Sequence, residues 1–424
     1  MTPSTPAILT RYFNRRAMLR GSAFGAVGLA GGILIGCGDD DDDDDDQPSN
    51  GADATDEEAT PAGEPTEAEG TEVEATEAEG TEEEQPSGDL ERVTFIFPFG
   101  APHAGLLAEH YVAQDRGYFA DEGLEEEVNY QTALLPLLAG GTVDYGRVTV
   151  VNFLNAFAAG QHLKAVFQTQ YPFVFGLVSL ADGGITDFSA DNLRGEAIGV
   201  TEFAGGEVPM VRALLTRLGL VEGEDVELFP TSGTTQQPTV DALQTGRIVA
   251  FAGSILDFAA IETFGVELQD ITPDIVRNIN ADDSLGVQAE YLEQNREQVV
   301  RYCRALAKGC IFAQENPRAA AQIGLQDHFA PDTGNLDETE FFIDLVVAQR
   351  GAPPEGLTFG QMPVDGWEAY QNFLLEGSTG GQDDPLAFDA PLDLSEIIDN
   401  TIPAEALDFD LEAIRQEARD FQTD

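Results

Sequence analysis

Three short polar loops and one arginine carry most of the binding chemistry available to this sequence of 424 residues. The first loop is Pro98-Phe99-Gly100-Ala101-Pro102-His103-Ala104-Gly105, directly after an apolar run that ends in Phe97. A strand-to-helix turn of this kind, with His103 at the helix start, exposes backbone N–H groups and the aromatic rings of Phe97 and Phe99 to a crevice. The second is Phe203-Ala204-Gly205-Gly206-Glu207. Paired glycines at Gly205 and Gly206 let backbone approach a ligand closely, and unsatisfied N–H groups there favour an anion or a carbonyl oxygen. It is no Walker A loop, because the Gly-Lys-Ser/Thr ending is missing. The third, Thr231-Ser232-Gly233-Thr234-Thr235, offers the hydroxyls of Ser232 and Thr234. Arg147 is readable as an anion partner in a cleft or as a solvated surface arginine, and both readings stay open. Thr149, Tyr171, Phe203 and Asp257 complete the set of candidate ligand-binding residues.

Catalytic and metal chemistry find no support. Cys303 and Cys310 lie seven positions apart on one expected helix, roughly 10.5 Å between Cα atoms, beyond disulfide reach. They read as buried small hydrophobes. His103, His110, His162 and His328 show no metal-ligand spacing, and neither Cys-x-x-Cys nor His-Glu-x-x-His occurs. Ser179, Ser189, Ser232 and Ser254 sit in no nucleophile elbow. No enzyme activity, cofactor or metal is expected.

The loops need elements to aim them. Residues 93–97 form a short β-rich run closed by Pro98, and 104–115 carry apolar residues at helical spacing up to Gly117. A strand at 127–130, a helix at 134–139, a strand at 143–145, a helix at 150–159 and a strand at 163–168 follow. A second series has strands at 197–200, 226–230 and 248–252 alternating with helices at 208–218, 238–244 and 258–264. The remainder is helical, at 293–314, 317–326, 337–349 and 364–375. Alternation of this length predicts βαβ units and two α/β lobes on mostly parallel sheets, with the C-terminal helices returning to complete the first. In such sheets a ligand lies beyond the carboxyl ends of the strands, and two facing sheets enclose it between lobes that hinge. The division expected is lobe 1 at 92–180, lobe 2 at 181–270, and lobe 1 again with the C-terminal helices at 271–424.

Ahead of this body, Asn14-Arg15-Arg16-Ala17-Met18-Leu19-Arg20 precedes a Gly- and Ala-rich apolar stretch ending in Leu34-Ile35-Gly36-Cys37. Residues 1–37 therefore read as an export signal, of twin-arginine or general secretory type. Its end resembles a bacterial lipobox, which implies lipid on the Cys37 sulfur and a mature protein tethered to the membrane surface. Residues 38–91 follow as an acidic linker with eight consecutive aspartates, 39–46, and Thr-Glu-rich pentads. Scarce apolar bulk and like charge predict an extended, disordered tether. Formal net charge is −56, and residues 91–424 alone hold 54 acids against 17 bases. That argues against nucleic acid, whose binding rests on cations neutralising phosphates. Saline surroundings or solubility alone would explain the excess equally well.

The segments His103-Ala104-Gly105-Leu106 and Tyr111-Val112-Ala113-Gln114-Asp115-Arg116-Gly117-Tyr118-Phe119-Ala120-Asp121-Glu122-Gly123-Leu124 resemble the opening signature of the SsuA/THI5-like (NMT1-type) solute-binding proteins. Asp144-Tyr145-Gly146, Leu193-Arg194-Gly195-Glu196-Ala197-Ile198-Gly199-Val200 and Leu243-Gln244-Thr245-Gly246-Arg247-Ile248-Val249-Ala250 extend the resemblance over roughly 92–330. It implies a periplasmic-binding-protein-like α/β fold and a monomeric extracytoplasmic receptor, anchored through Cys37, that hands a small molecule to the transmembrane subunits of an ABC importer. Ligands in that family include thiamine pyrimidine precursors, riboflavin, alkanesulfonates, taurine and nitrate. Phe97, Phe99, Tyr171, Phe173 and Phe203 suit a flat heterocycle. Sulfonate, taurine or nitrate is the alternative, and would draw on Arg147, His103 and Lys164. A yeast-type pyrimidine synthase, which consumes a lysine-bound pyridoxal phosphate, is disfavoured because the only lysines are Lys164 and Lys308. A surface adhesin would explain the tether but not the three loops.

Overall fold

The computed structural model describes residues 90–97, 102–131, 133–203, 205–231, 236–262, 264–327, 336–377 and 386–423. The export signal, Cys37 and nearly all of the acidic linker lie outside the described residues.

Two five-stranded sheets organise the body. The first is built from β1 (Glu91–Phe97), β2 (Leu124–Tyr130), β3 (Tyr145–Val148), β4 (Leu163–Gln168) and β10 (Ser284–Gln288), in the order β2-β1-β3-β10-β4. The second contains β5 (Phe175–Leu180), β6 (Ala197–Val200), β7 (Glu227–Pro230), β8 (Ala250–Ser254) and β9 (Leu268–Asp270), in the order β7-β6-β8-β5-β9. β1 runs parallel to β2 from Glu91 opposite Leu124 to Phe97 opposite Tyr130, and parallel to β3. β6 is parallel to β7 and β8. One strand in each sheet is reversed: β5 is antiparallel to β8 and β9, and β10 to β3 and β4. Each reversed strand is the first after the chain has crossed between sheets. The expected boundary after 180 is therefore corrected, since β5 belongs to the second sheet and the crossing occupies 169–174. The return crossing, 271–283, runs beside it, and Phe173 N–H donates to Ile279 O at 3.2 Å.

The helices are α1 (Ala108–Asp115), α2 (Tyr118–Asp121), α3 (Leu134–Ala139), α4 (Val150–Ala158), α5 (Ala190–Leu193), α6 (Val208–Leu218), α7 (Gln237–Gln244), α8 (Ile255–Glu262), α9 (Asp274–Arg277), α10 (Ala289–Glu315), α11 (Pro317–Asp327), α12 (Leu336–Arg350), α13 (Val364–Gly377), α14 (Thr401–Ala406) and α15 (Leu411–Asp420). Gly117, at φ +72°, ends α1 and turns the chain straight into α2, a backbone that a side chain would strain. β1 is buried on both faces, as a central strand between helical layers must be. Phe95 and Phe97 face the core around α1 and α10, while Ile96 faces the one containing α3 and α4. Within the α10 core, Tyr302 stacks on Tyr145 with ring centroids 3.8 Å apart. Cys303 and Cys310 are buried free thiols.

The C-terminal helices do more than complete the first lobe. α13 packs on α4 of the first lobe and on α6 of the second, carrying Trp367, Tyr370 and Phe373 into a core shared with Phe153, Ile198 and Met210. Gly377 lies so close to Ala213 that a Cβ there would meet its Cα at 2.3 Å, and Arg217 pairs with Glu376. The helix bridges both lobes on one side of their junction.

Candidate functional site: a hollow between the lobes

The hollow opens where the two crossings meet the strand ends. Thr149, Val150 and Val151 at the head of α4 supply one wall, and Gly206 before α6 faces them from the second lobe. Phe173 comes from the first crossing and Phe175 from the start of β5, Asp282 and Asp283 from the return, and Tyr370 from α13. Its volume, including open space at the mouth, is about 250 Å3.

Local sequence fixes each wall. Thr149 leaves the extended backbone as the N-cap of α4, its Oγ1 accepting the Asn152 N–H at 3.3 Å. That aims the positive end of a nine-residue helix at the hollow. Gly206 must be glycine, because a Cβ there would sit 2.7 Å from the Phe175 ring. Glu207 turns its buried carboxylate back under the loop and accepts the Thr201 N–H at 2.7 Å and the Thr201 hydroxyl. Burial, with the charge of Asp257 behind it, raises that carboxyl above its ordinary range despite the Thr201 bonds. Phe173 lies 4.8 Å from Tyr370 and 5.6 Å from Phe175 between ring centroids, giving the hollow a continuous aromatic side.

Its polar side is a pair of carboxyls. Arg147, in β3 opposite Leu285, has its Nε 3.3 Å from Asp283 Oδ2. The Asp283 N–H donates to Asp282 Oδ1 at 2.8 Å, and Asp282 is only 4% exposed. Burial, then the neighbouring charge of Asp283, pushes the Asp282 carboxyl well above the usual carboxylate range. Burial and the same two carboxyls push the Tyr370 phenol up. No lysine or arginine lines the hollow among the described residues.

The sequence candidates divide accordingly. Thr149 and Gly206 line the hollow, and Arg147 reaches it through Asp283. Gly205 lies beside it, where a Cβ would meet the Glu207 carboxylate at 2.5 Å. Phe97 is buried against the edge of Tyr130, away from the lining. His103 Nδ1 accepts the Leu106 N–H at 3.1 Å, its ring meets Phe342 edge-on, and burial lowers its pKa. The Tyr171 hydroxyl accepts the Gly360 N–H at 2.8 Å, tying the first crossing to the C-terminal segment. Asp257 caps the start of α8, accepting the Ser254 N–H and hydroxyl at 2.8 and 2.6 Å and the Gln236 amide at 2.8 Å. Phe203 is 57% exposed. Phe99, Ser232 and Thr234 lie outside the described residues. Sequence reasoning missed Phe175, Asp282, Asp283 and Tyr370. The adjacent acids Asp282-Asp283, just ahead of a short apolar run, are the one local signal that could have pointed to the return crossing.

A larger groove, about 630 Å3 with its open mouth included, lies at the sheet edge between α1 and β2. Two of its acids are already engaged, Glu126 holding His110, Gln114 and Tyr302 and Glu127 pairing with Arg92, while Glu125 is exposed. It lies along an edge strand, away from the junction.

Comparison with known proteins agrees with this architecture. The profile of the family "NMT1/THI5 like" matches residues 105–320. The riboflavin-binding protein RibY of Chloroflexus aurantiacus is 26% identical over 306 residues, 64% of this chain and 83% of its own. The periplasmic sulfonate-binding protein SsuA of Methylobacillus flagellatus superposes with a TM-score of 0.52 at 16% identity, covering 75% of this chain and 94% of its own. The aliphatic sulphonate binding protein SsuA of Escherichia coli gives 0.52 at 13% identity, over 72% and 96%. With its two reversed-strand sheets joined by paired crossings, the chain belongs to the NMT1/THI5-like family and has the fold of periplasmic substrate-binding proteins of ABC importers.

Proposed function

We propose that this protein is an extracytoplasmic receptor, tethered through lipid on Cys37, that captures a flat heterocycle of the riboflavin or pyrimidine type between its lobes and delivers it to an ABC permease. The observation that carries the ligand class is the lining: Phe173, Phe175 and Tyr370 on one side, and on the other a carboxyl pair whose nearby arginine lies 3.3 Å from Asp283. Sulfonate or nitrate needs several unsatisfied cationic donors, and among the described residues no lysine or arginine lines the hollow. The similarity to a riboflavin-binding protein points the same way. The enclosed space free within the hollow is only about 10 Å3, far below the roughly 300 Å3 at which small-molecule sites begin, so uptake requires the lobes to part about the two crossings.

Flavin fluorescence tests this directly. Stacking against the aromatic wall should quench riboflavin saturably with one site per chain, and the same solute should raise the melting temperature by mass action. Methanesulfonate, taurine and nitrate should do neither. Unquenched riboflavin, together with a melting shift from one of the anions, would reverse the ligand assignment.

A further inference from the structure

Asp282 stands out within the hollow. It is buried, it lines the cavity, and its Oδ2 has no hydrogen-bond partner among the described residues. A buried polar atom left unmatched costs about 1–3 kcal/mol, so a position that keeps one usually has a use for it. The surroundings say which use. Asp283 sits next in the chain and takes the arginine, with Arg147 Nε 3.3 Å from its Oδ2. The Tyr370 ring comes down from α13, and Glu207, on the facing loop, is turned away onto Thr201. One cation thus faces two carboxyls, and it lies against Asp283. Asp282 Oδ1 already accepts the Asp283 N–H, which makes it the carbonyl-like oxygen and leaves the proton on Oδ2.

We infer that Asp282, which lines the hollow, is a ligand-recognition residue: its Oδ2–H donates to a ring carbonyl oxygen or ring nitrogen of the bound heterocycle, with Arg147 and Asp283 positioning it. The inference rests on the interlobe hollow being the binding site and deepens the reading above by naming the chemistry the solute must present. The carboxyl plays the part of a neutral acid held in an apolar site so that it can donate. A flavin or a pyrimidine carries such an acceptor on its ring edge, beside faces that the Phe173, Phe175 and Tyr370 rings can cover.

The test titrates riboflavin against the full chain by fluorescence quenching from pH 6 to pH 9, in the wild type and in Asp282→Asn and Asp282→Leu. Wild-type affinity should fall as pH rises, approaching about tenfold per pH unit once the carboxyl ionises. Asp282→Asn keeps an N–H donor at every pH, so its profile should be flat and should overtake the wild type at high pH. Asp282→Leu should lose at least about tenfold at pH 6. A wild-type profile parallel to that of Asp282→Asn, or a leucine variant that binds like the wild type, overturns the inference. Melting without solute gives an independent arm: the wild type should lose stability relative to Asp282→Asn between pH 6 and pH 9. Parallel melting curves overturn the inference whichever solute is bound. Diverging curves with no riboflavin binding support the neutral carboxyl and reject riboflavin alone.

Discussion

Glu262 ends α8 with a carboxyl that is only half reconciled with its surroundings. Its Oε1 accepts the Leu268 N–H at a long 3.4 Å, and Oε2 is buried without a partner among the described residues. Burial, with Glu267 nearby, pushes it up to about 7. The folded state therefore holds this proton more tightly than the unfolded chain, whose value is 4.5. Its favourable contribution is complete below about pH 4.5 and is lost as pH rises through about 7. Glu262→Gln should accordingly stabilise the protein at pH 8 by about 1 kcal/mol, solvent screening this half-buried residue, and leave it nearly unchanged at pH 4. Urea denaturation at the two pH values decides the matter, and an equal effect at both would mean that the group titrates normally. At this scale the site was only partly legible. Gly206 and Thr149 announce themselves by type, a glycine in a polar loop and a hydroxyl before an apolar run. Asp282 does not, because an acid in an acid-rich sequence looks like solvent-facing charge until the fold buries it.

Helices α1, α10 and α12 are joined by a buried ion pair. Glu109 Oε2 lies 2.6 Å from Arg350 Nη2, both residues are almost wholly buried, and Arg350 Nη1 donates to Cys310 O at 3.3 Å. Desolvation offsets much of the Coulomb attraction in such a pair, so its net stabilisation is small, but either partner alone becomes an uncompensated buried charge. Arg350→Met should cost about 3–5 kcal/mol, whereas Glu109→Leu combined with Arg350→Met should recover most of that loss. Chemical denaturation of the two variants provides the comparison, and a double variant as unstable as Arg350→Met would show that removing the stranded charge recovers nothing. At the element scale, strands 163–168 and 197–200 and helices 134–139 and 208–218 were legible to the residue, because apolar period and flanking Gly or Pro agree there. β9 and β10 were not. At three and five residues they are too short to show a period, and β10 becomes a strand only because β3 and β4 leave a slot between them. α14 and α15 escaped for a related reason: the first has only six residues with a proline among them and the second is half charged, and docking against α10 holds them.

The architecture of the whole molecule followed from the alternation of strands and helices, while its reversals did not. Nothing local in Phe175–Leu180 tells a strand that starts a new lobe from one that finishes the old. That choice is made by the crossing at 169–174, where Tyr171 N–H donates to Arg350 O and Phe173 N–H to Ile279 O. The same non-local logic brings Tyr370, some two hundred residues away in sequence, against Phe173.

Charge is the property of the whole chain with the widest reach. With 54 acids against 17 bases in residues 91–424, carboxylates outnumber cations about threefold even where surface pairs such as Arg212–Glu222 and Arg419–Glu315 form. Each exposed pair contributes about 0–1 kcal/mol, so screening those pairs costs little. Screening the long-range repulsion gains more, because it acts on every like-charged pair at once and the Debye length shrinks to a few ångströms at high salt. The melting temperature should therefore rise, by about 3–8 °C, between 20 mM and 0.5 M sodium chloride. Chloride is the right salt because sulfate would also strengthen apolar burial. A flat or falling melting temperature would place the stabilising electrostatics in the individual pairs instead. The same field acts on solutes: an anion approaching the cleft is repelled at long range and meets no unpaired cation in the lining, whereas an uncharged ring is indifferent to the field. If the cleft takes a neutral heterocycle, its association rate should then be almost independent of salt over the range in which the fold itself is gaining stability.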